Sequence, residues 1–259
     1  MNIYILTQED AFYIPKLLKV FFDKKPKNAD IVGGAIIQGE ISGNNVIQYY
    51  NFLGFSAFVN TAFHFTLYKI MDALDKLFKF RKSYSVSGFL SKQKIDLEFP
   101  KKINCKSFRE ILIEKKVDLI ISIACPQKIK QRLLNLPPEG CINIHGALLP
   151  KYRGKLPSFW VLANGESKTG VSVHYMNKEL DDGPIIIQKE VSINDDDTLH
   201  SLIMKSKVNF GALALAEAVS LILQDKVVTQ KNDSTKATYY SFPTTDAVKE
   251  FRKKGRKFR

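Results

Sequence analysis

Three cysteines in 259 residues, Cys105, Cys125 and Cys141, are odd in number and contain no CxxC pair. That excludes a secreted disulfide framework and points to a reducing compartment. The opening MNIYILTQED lacks a basic n-region, a usable apolar h-region and a small-residue cleavage site, so no signal peptide is expected and a cytoplasmic location is. No GxGxxG follows the first apolar run, which removes a dinucleotide cofactor in the usual place. There is no GxxxxGK[ST] loop, no GxSxG elbow and no HExxH. The four histidines, His64, His145, His174 and His200, have no close cysteine partner, and no metal site is expected. No internal repeat or sustained low-complexity segment is present.

What is present is an ordinary globular composition, 45% hydrophobic and 25% charged, in a chain long enough to bury a full core. The formal net charge is +13, unevenly spread: seven Lys or Arg and a single Glu lie between Lys249 and Arg259. A basic surface attracts anions such as nucleic acid, a nucleotide pyrophosphate or an acidic membrane; a merely solvated tail is the competing reading. The stretch Phe52–Met71 is rich in Phe but carries Asn60, Thr61, His64, Thr66 and Lys69. It reads as a buried or amphipathic helix, with a helix lying in a membrane surface as the sharper alternative.

Strand-like runs at 2–7, 30–37, 117–123 and 140–144 alternate with helical spacing at 12–22, about 52–80, 107–116 and 126–134. Gly39–Asn45 reads as a turn, and 81–94 is polar and Ser-rich without a clear element. Two more strands are expected at 170–175 and 183–191. Asn194–Asp197 then reads as the cap of a helix from Thr198 to about Leu223. This order predicts an α/β fold, a mostly parallel sheet with helices on both faces. A boundary near 225 would separate a body of 1–225 from a short aromatic and basic extension of 226–259.

The chemistry concentrates in Asn143-Ile-His145, at the end of an apolar strand, and in Asp181-Asp182-Gly183, a tight acidic turn before the next one. Asn143 and His145 are two residues apart, so an extended strand turns both to the same side. Strand ends are where open α/β sheets bind ligands. Each piece alone has a bland reading: strand-capping core residues for the first, a simple turn for the second. His174, in an alternating strand, reads as structural.

Together, NIHGALLPKYRG, GESKTGVSVHYM and ELDDGPIIIQ resemble the formyltransferase family, densely from about Asp118 to Leu223. The resemblance implies a Rossmann-like formyltransferase fold, N10-formyltetrahydrofolate as co-substrate and no metal. Asn143, His145 and Asp181 fall on its three functional positions. It also implies a folate site at the loop Ile123, Ala124, Cys125, Pro126 and Gln127 and near Asp182. Asn143 and a protonated His145 would donate to the formyl oxygen, and His145 with Asp181 and water would relay the amine's proton. Among family members, the methionyl-tRNA enzymes carry a full extra C-terminal domain and the purine enzyme a glycine-rich first turn. The layout is closer to the nucleotide-sugar N-formyltransferases. A nucleotide-linked amino dideoxysugar, formylated for surface glycan synthesis such as lipopolysaccharide O-antigen, is the expected acceptor, with a homodimer and no membrane or nucleic-acid partner. A methionyl-tRNA formyltransferase-like enzyme and a non-catalytic RNA-binding protein on the same fold are the alternatives. Hydrolysis of the formyl folate would use the same residues. Tyr239, Tyr240 and Phe242 could stack on a base, form a dimer contact or simply pack.

Overall fold

The computed structural model describes residues 1–39, 43–78 and 82–259. Seven strands form one sheet in the order β3-β2-β1-β4-β5-β7-β8. They are β1 (Asn2–Thr7), β2 (Asp30–Ile36), β3 (Leu97–Glu98), β4 (Leu119–Ile123), β5 (Cys141–His145), β7 (Lys168–Tyr175) and β8 (Ile185–Ser192). The first five are mutually parallel, whereas β7 pairs antiparallel with both β5 and β8. The mostly parallel expectation therefore holds, with an antiparallel edge built by β7 and β8.

Side-chain alternation in β1 builds both faces at once. Ile3 and Ile5 join a core completed by α1 (Ile14–Lys24), α3 (Val86–Lys92) and α8 (Gly211–Leu223). Tyr4 and Leu6 point the other way, into a core closed by Phe108 and Leu112 of α4 (Lys106–Glu114) and Leu133 of α5 (Gln131–Leu134). The helix from Leu199 to Leu223 is continuous: α7 (Leu199–Ile203), a π-helical stretch (Met204–Phe210), then α8. Among the described residues it alone is long and apolar enough to cross a membrane, and it is packed in the core. Its start is capped by Thr198 rather than by the acid run itself, with Asp197 supporting the cap. Thr198 accepts from the Ser201 N–H, Ser201 Oγ donates to Asp197, and Asp197 also accepts from Asn194 N–H.

Four local readings change. The helix expected at 126–134 is reduced to α5, because Gln127 is tied to Ile103 N–H and Lys101 carbonyl and Asn104 captures Lys130 N–H. The polar segment near 81–94 contains α3, capped by Ser85, whose Oγ accepts from Gly88 N–H. Of the turn at Gly39–Asn45, residues 40–42 lie outside the described residues, and α2 (Gly43–Phe78) has begun by Gly43. α2 is two helical arms joined at Gly54 (φ +73°), and it is not buried: most of its large apolar side chains are exposed.

The C-terminal segment is likewise docked rather than merely solvated. β9 (Tyr239–Tyr240) runs parallel to β6 (Arg153–Gly154). α9 (Thr245–Lys253) packs on α6 (Pro157–Asn164), where Phe251 stacks on Phe159 at 5.0 Å. Phe52 and Phe258 close the same cluster. Tyr240 lies between the rings of Tyr152 and Trp160, so two of the three aromatics, Tyr240 and Phe242, are engaged in packing, while Tyr239 is exposed. Truncating the fully buried Phe251 leaves a cavity among aromatic rings. We expect Phe251→Ala to cost about 3–5 kcal/mol in urea unfolding, and the exposed Lys249→Ala to cost less than about 0.5 kcal/mol; equal effects would mean the segment is not docked.

Candidate active site

β5 places Asn143 and His145 at the C-terminal edge of the sheet, between β4 and β7. The register puts Ser122 beside Asn143 on one flank and His174 beside it on the other. His145 is buried, and its Nε2 lies 2.8 Å from the Tyr152 carbonyl. A carbonyl only accepts, so Nε2 carries the proton and donates. The nitrogen left free is Nδ1, and it faces Asp181 Oδ2 at 3.5 Å.

The same logic fixes His174. Its Nδ1 sits 2.7 Å from the Tyr175 carbonyl and therefore donates to it. Its Nε2 is then an acceptor, and Asn143 Nδ2 donates to it at 3.2 Å. That contact orients the amide of Asn143 and leaves its second N–H directed elsewhere. Asn143 is half-buried, the one member of the group partly open to solvent, while His145, His174 and Asp181 are buried. His174 is a residue the sequence reading set aside as structural. The signal was available only through register, since it stands directly across from Asn143 in β7.

Asp181 comes from the turn before β8. It is in the left-handed region (φ +51°), a conformation costing a non-glycine residue about 1–2 kcal/mol. Its Oδ2 accepts from Gly154 N–H at 2.9 Å, and its Oδ1 is 3.7 Å from His174 Nε2. The turn is locked from several sides. Asn232 donates to the carbonyls of Asp181 and Gly183, and a side chain at Gly183 would collide with the Tyr175 carbonyl. Asp182 does not face the same centre. It is paired with Arg153 at 2.6 Å and accepts from Ser234 and Asn177, so it is engaged in holding the turn. Asn232 and Ser234 lie beyond residue 225, and no motif marked either of them.

Burial sets the protonation states. It lowers the His145 pKa below the ordinary imidazole value, with Asp181 opposing the shift and His174 and Lys207 reinforcing it. Burial alone would raise the Asp181 pKa. The nearby His145, with His174 and the Gly154 N–H, outweighs it and holds the carboxyl well below its usual range. Lys207, from the π-helical stretch, is half-buried, with its methylenes against Gly146. Its pKa too is lowered by burial, against the pull of Asp10 and Asp181. Pattern reading gave no sign of Lys207, because the extra residue of the π turn shifts the helix face.

The loop after β4 leaves the sheet one strand away from Asn143. Ile123 is buried in the core, and Ala124 has left-handed backbone (φ +53°). Cys125 Sγ donates to the Gln127 carbonyl, and burial raises its thiol to about 11. The Gln127 side chain is committed to residues 101 and 103. The side chains of Ile123, Cys125 and Gln127 are thus engaged within the protein. After β1, Asp10 Oδ1 accepts from the N–H groups of Phe12, Tyr13 and Ile14, so the start of α1 already carries its own anion. Among the described residues no cluster of His, Cys, Asp and Glu could hold a metal ion.

The chain matches methionyl-tRNA formyltransferase of Kosmotoga olearia at 38% identity over 140 residues, 54% of this chain and 45% of that one. With the Thermotoga maritima enzyme it shares 36% over 154 residues, 60% and 49% of the two chains. The matches thus span about half the length of these relatives. Two solved structures share the fold: glycinamide ribonucleotide transformylase 1 of Symbiobacterium toebii (TM-score 0.61, 16% identity, covering 90% and 92% of the two chains) and a sugar N-formyltransferase of a Shewanella species (TM-score 0.58, 19%, 93% and 76%). The sequence profile described as formyl transferase matches residues 82–219, which include Asn143, His145, Asp181 and the loop after β4. More than half of the sequence thus carries that profile, and the chain belongs to the formyl transferase family.

Proposed function

We propose that this chain transfers the formyl group of N10-formyltetrahydrofolate to the amine of a nucleotide-linked amino sugar. The observation that carries the reading is the joined geometry of Asn143, His145 and Asp181 at one end of β5. The donor set fits a formyl group. The second N–H of Asn143 can meet the formyl oxygen as charge develops there, a contribution of about 2.7–4 kcal/mol in comparable sites. The folate ring is assigned to the loop after β4, residues 123–127, where the main chain of Ala124, Cys125 and Pro126 is available to meet a flat heterocycle. Bound there, the co-substrate supplies the activated one-carbon unit.

The protein's part in the proton transfer falls to His145. Its Nε2–H is tied to Tyr152, so Nδ1 is the base that takes the attacking amine's proton, directly or through one water. Asp181, at 3.5 Å, stabilises the imidazolium as it forms. His145 as a second donor to the formyl oxygen does not fit this arrangement. His174 is a positioning residue that aims Asn143.

Acceptor choice rests on two features. The Asp10 carboxylate occupies the start of α1, which disfavours a phosphate monoester at that turn and with it a glycinamide ribonucleotide. Exposed Tyr239 lies beside Gly154, whose N–H holds Asp181, and offers a ring face for a nucleotide base near the reacting end. Aminoacyl-tRNA is the second reading, favoured by the identity of 35–39% to methionyl-tRNA formyltransferases over half the chain.

Three measurements test this. Tetrahydrofolate release should require a dTDP-, UDP- or GDP-linked amino sugar; release only with methionyl-tRNA would replace the acceptor, and release without any acceptor would make the reaction hydrolysis. Asn143→Ala and His145→Asn should each lower kcat by about a hundredfold or more with unchanged unfolding curves, and near-normal turnover in either would remove the mechanism. The active form has neutral His145, so kcat/KM is full at high pH and is lost as pH falls through the His145 pKa, which burial holds below the ordinary imidazole value. Removing the anion in Asp181→Asn should move that limb lower still, and removing the cation in Lys207→Met should move it higher. A limb that ignores both changes belongs to another group.

A further inference from the structure

α2 carries apolar side chains on two opposite faces, and only one is used. Tyr68 packs on Phe12 and Tyr84, Asp75 pairs with Lys92 and Asp72 accepts from Ser85, so that face is docked on the body. On the other side Phe55, Val59, Phe63, Leu67, Ile70 and Leu77 recur at helical spacing as one stripe. Phe55 is 72% exposed, Phe63 64% and Leu77 75%. From Val46 to Met71 the only formal charge is Lys69. A helix apolar all round belongs in a core or a lipid phase, and this stripe has no cover among the described residues.

The charge beside the stripe says what covers it. At the Gly54 break, the cavity against Leu53–Asn60 is walled by Arg252, Arg256, Lys257 and Arg259, with no acidic side chain among its lining residues. Arg252 donates to the Leu53 carbonyl at 2.8 Å, and Arg259 lies over Phe12, which touches Tyr68 of α2. The basic segment is therefore fixed at the flank of the apolar stripe. A second copy would bring the same cations against themselves across a two-fold axis. An apolar stripe bordered by Lys and Arg instead matches an interface that is apolar within and negative at its surface.

We propose that the outward face of α2, with Arg252–Arg259 beside it, docks on an anionic lipid bilayer, α2 lying in the interface rather than crossing it. The proposal does not depend on the reaction assigned to the site, because binding alone tests it. The full chain is floated with vesicles of phosphatidylcholine alone or with about 30 mol% phosphatidylglycerol. We expect flotation with the anionic vesicles, weakened by salt, and at least about tenfold weaker partition onto neutral ones. Phe55→Ser with Phe63→Ser should abolish flotation, and Lys257→Gln with Arg259→Gln should lower it about tenfold or more. These side chains lie on the surface, so circular dichroism and unfolding curves should be unchanged. A wild-type chain that stays off anionic vesicles overturns the proposal. So does a dimer in light scattering that Phe55→Ser with Phe63→Ser converts to monomers without any lipid binding, since a second copy would then be the cover.

Discussion

A carboxylate removed from water needs polar neighbours, and Asp181 is the point from which the rest of the site is organised. Gly154 N–H reaches it from β6, and His145 and His174 approach from β5 and β7. Three separated stretches of chain thus converge on one anion. The same turn is held through its neighbours: Asp182 takes Arg153, and Asn232 ties the carbonyls on both sides of the turn. Removing the anion would leave buried N–H and ring groups without their partner, which is why a left-handed aspartate is tolerated there.

The protonation pattern follows from that convergence. Burial favours neutral His145, and the Asp181 charge only partly restores its basicity. The charge of Lys207 tips the balance further toward the neutral ring. The result is an imidazole with one nitrogen fixed by Tyr152 and the other basic and aimed at a carboxylate. Such a pair is poised to take a proton and share the charge, without needing a protonated histidine beforehand. His174 differs because its Nδ1–H is held by the Tyr175 carbonyl, so its remaining nitrogen serves Asn143.

Much of this was legible in residue order. Short continuous apolar runs such as Ile3–Leu6 reveal β1, and the spacing of Asn143 and His145 reveals a shared face, because both are consequences of local geometry. The contributions of His174, Asn232 and Lys207 were not legible. Each depends on a distant contact: an antiparallel register, a return of the chain 51 residues later, and a π turn that rotates a lysine inward. For the Phe-rich helix, burial was the one reading of those open that the structure does not bear out, for a related reason. Apolar content predicts burial only when enough body exists to bury it, and α2 has a body on one side only.

The position of α2 gives that exposure a direction. β2 and β5 are parallel members of one sheet, so Ile36 and His145 end at the same edge. α2 starts seven residues after β2, on the edge where Asn143 opens to solvent. Its first arm touches Phe242 through Tyr49 and Phe159 through Phe52, and so leans on the segment that carries Tyr239. An apolar helix placed elsewhere on the molecule could be a packing accident of the fold. This one starts from the edge that carries Asn143 and His145 and has cations fixed at its break, so its placement is tied to the same end of the sheet as the site.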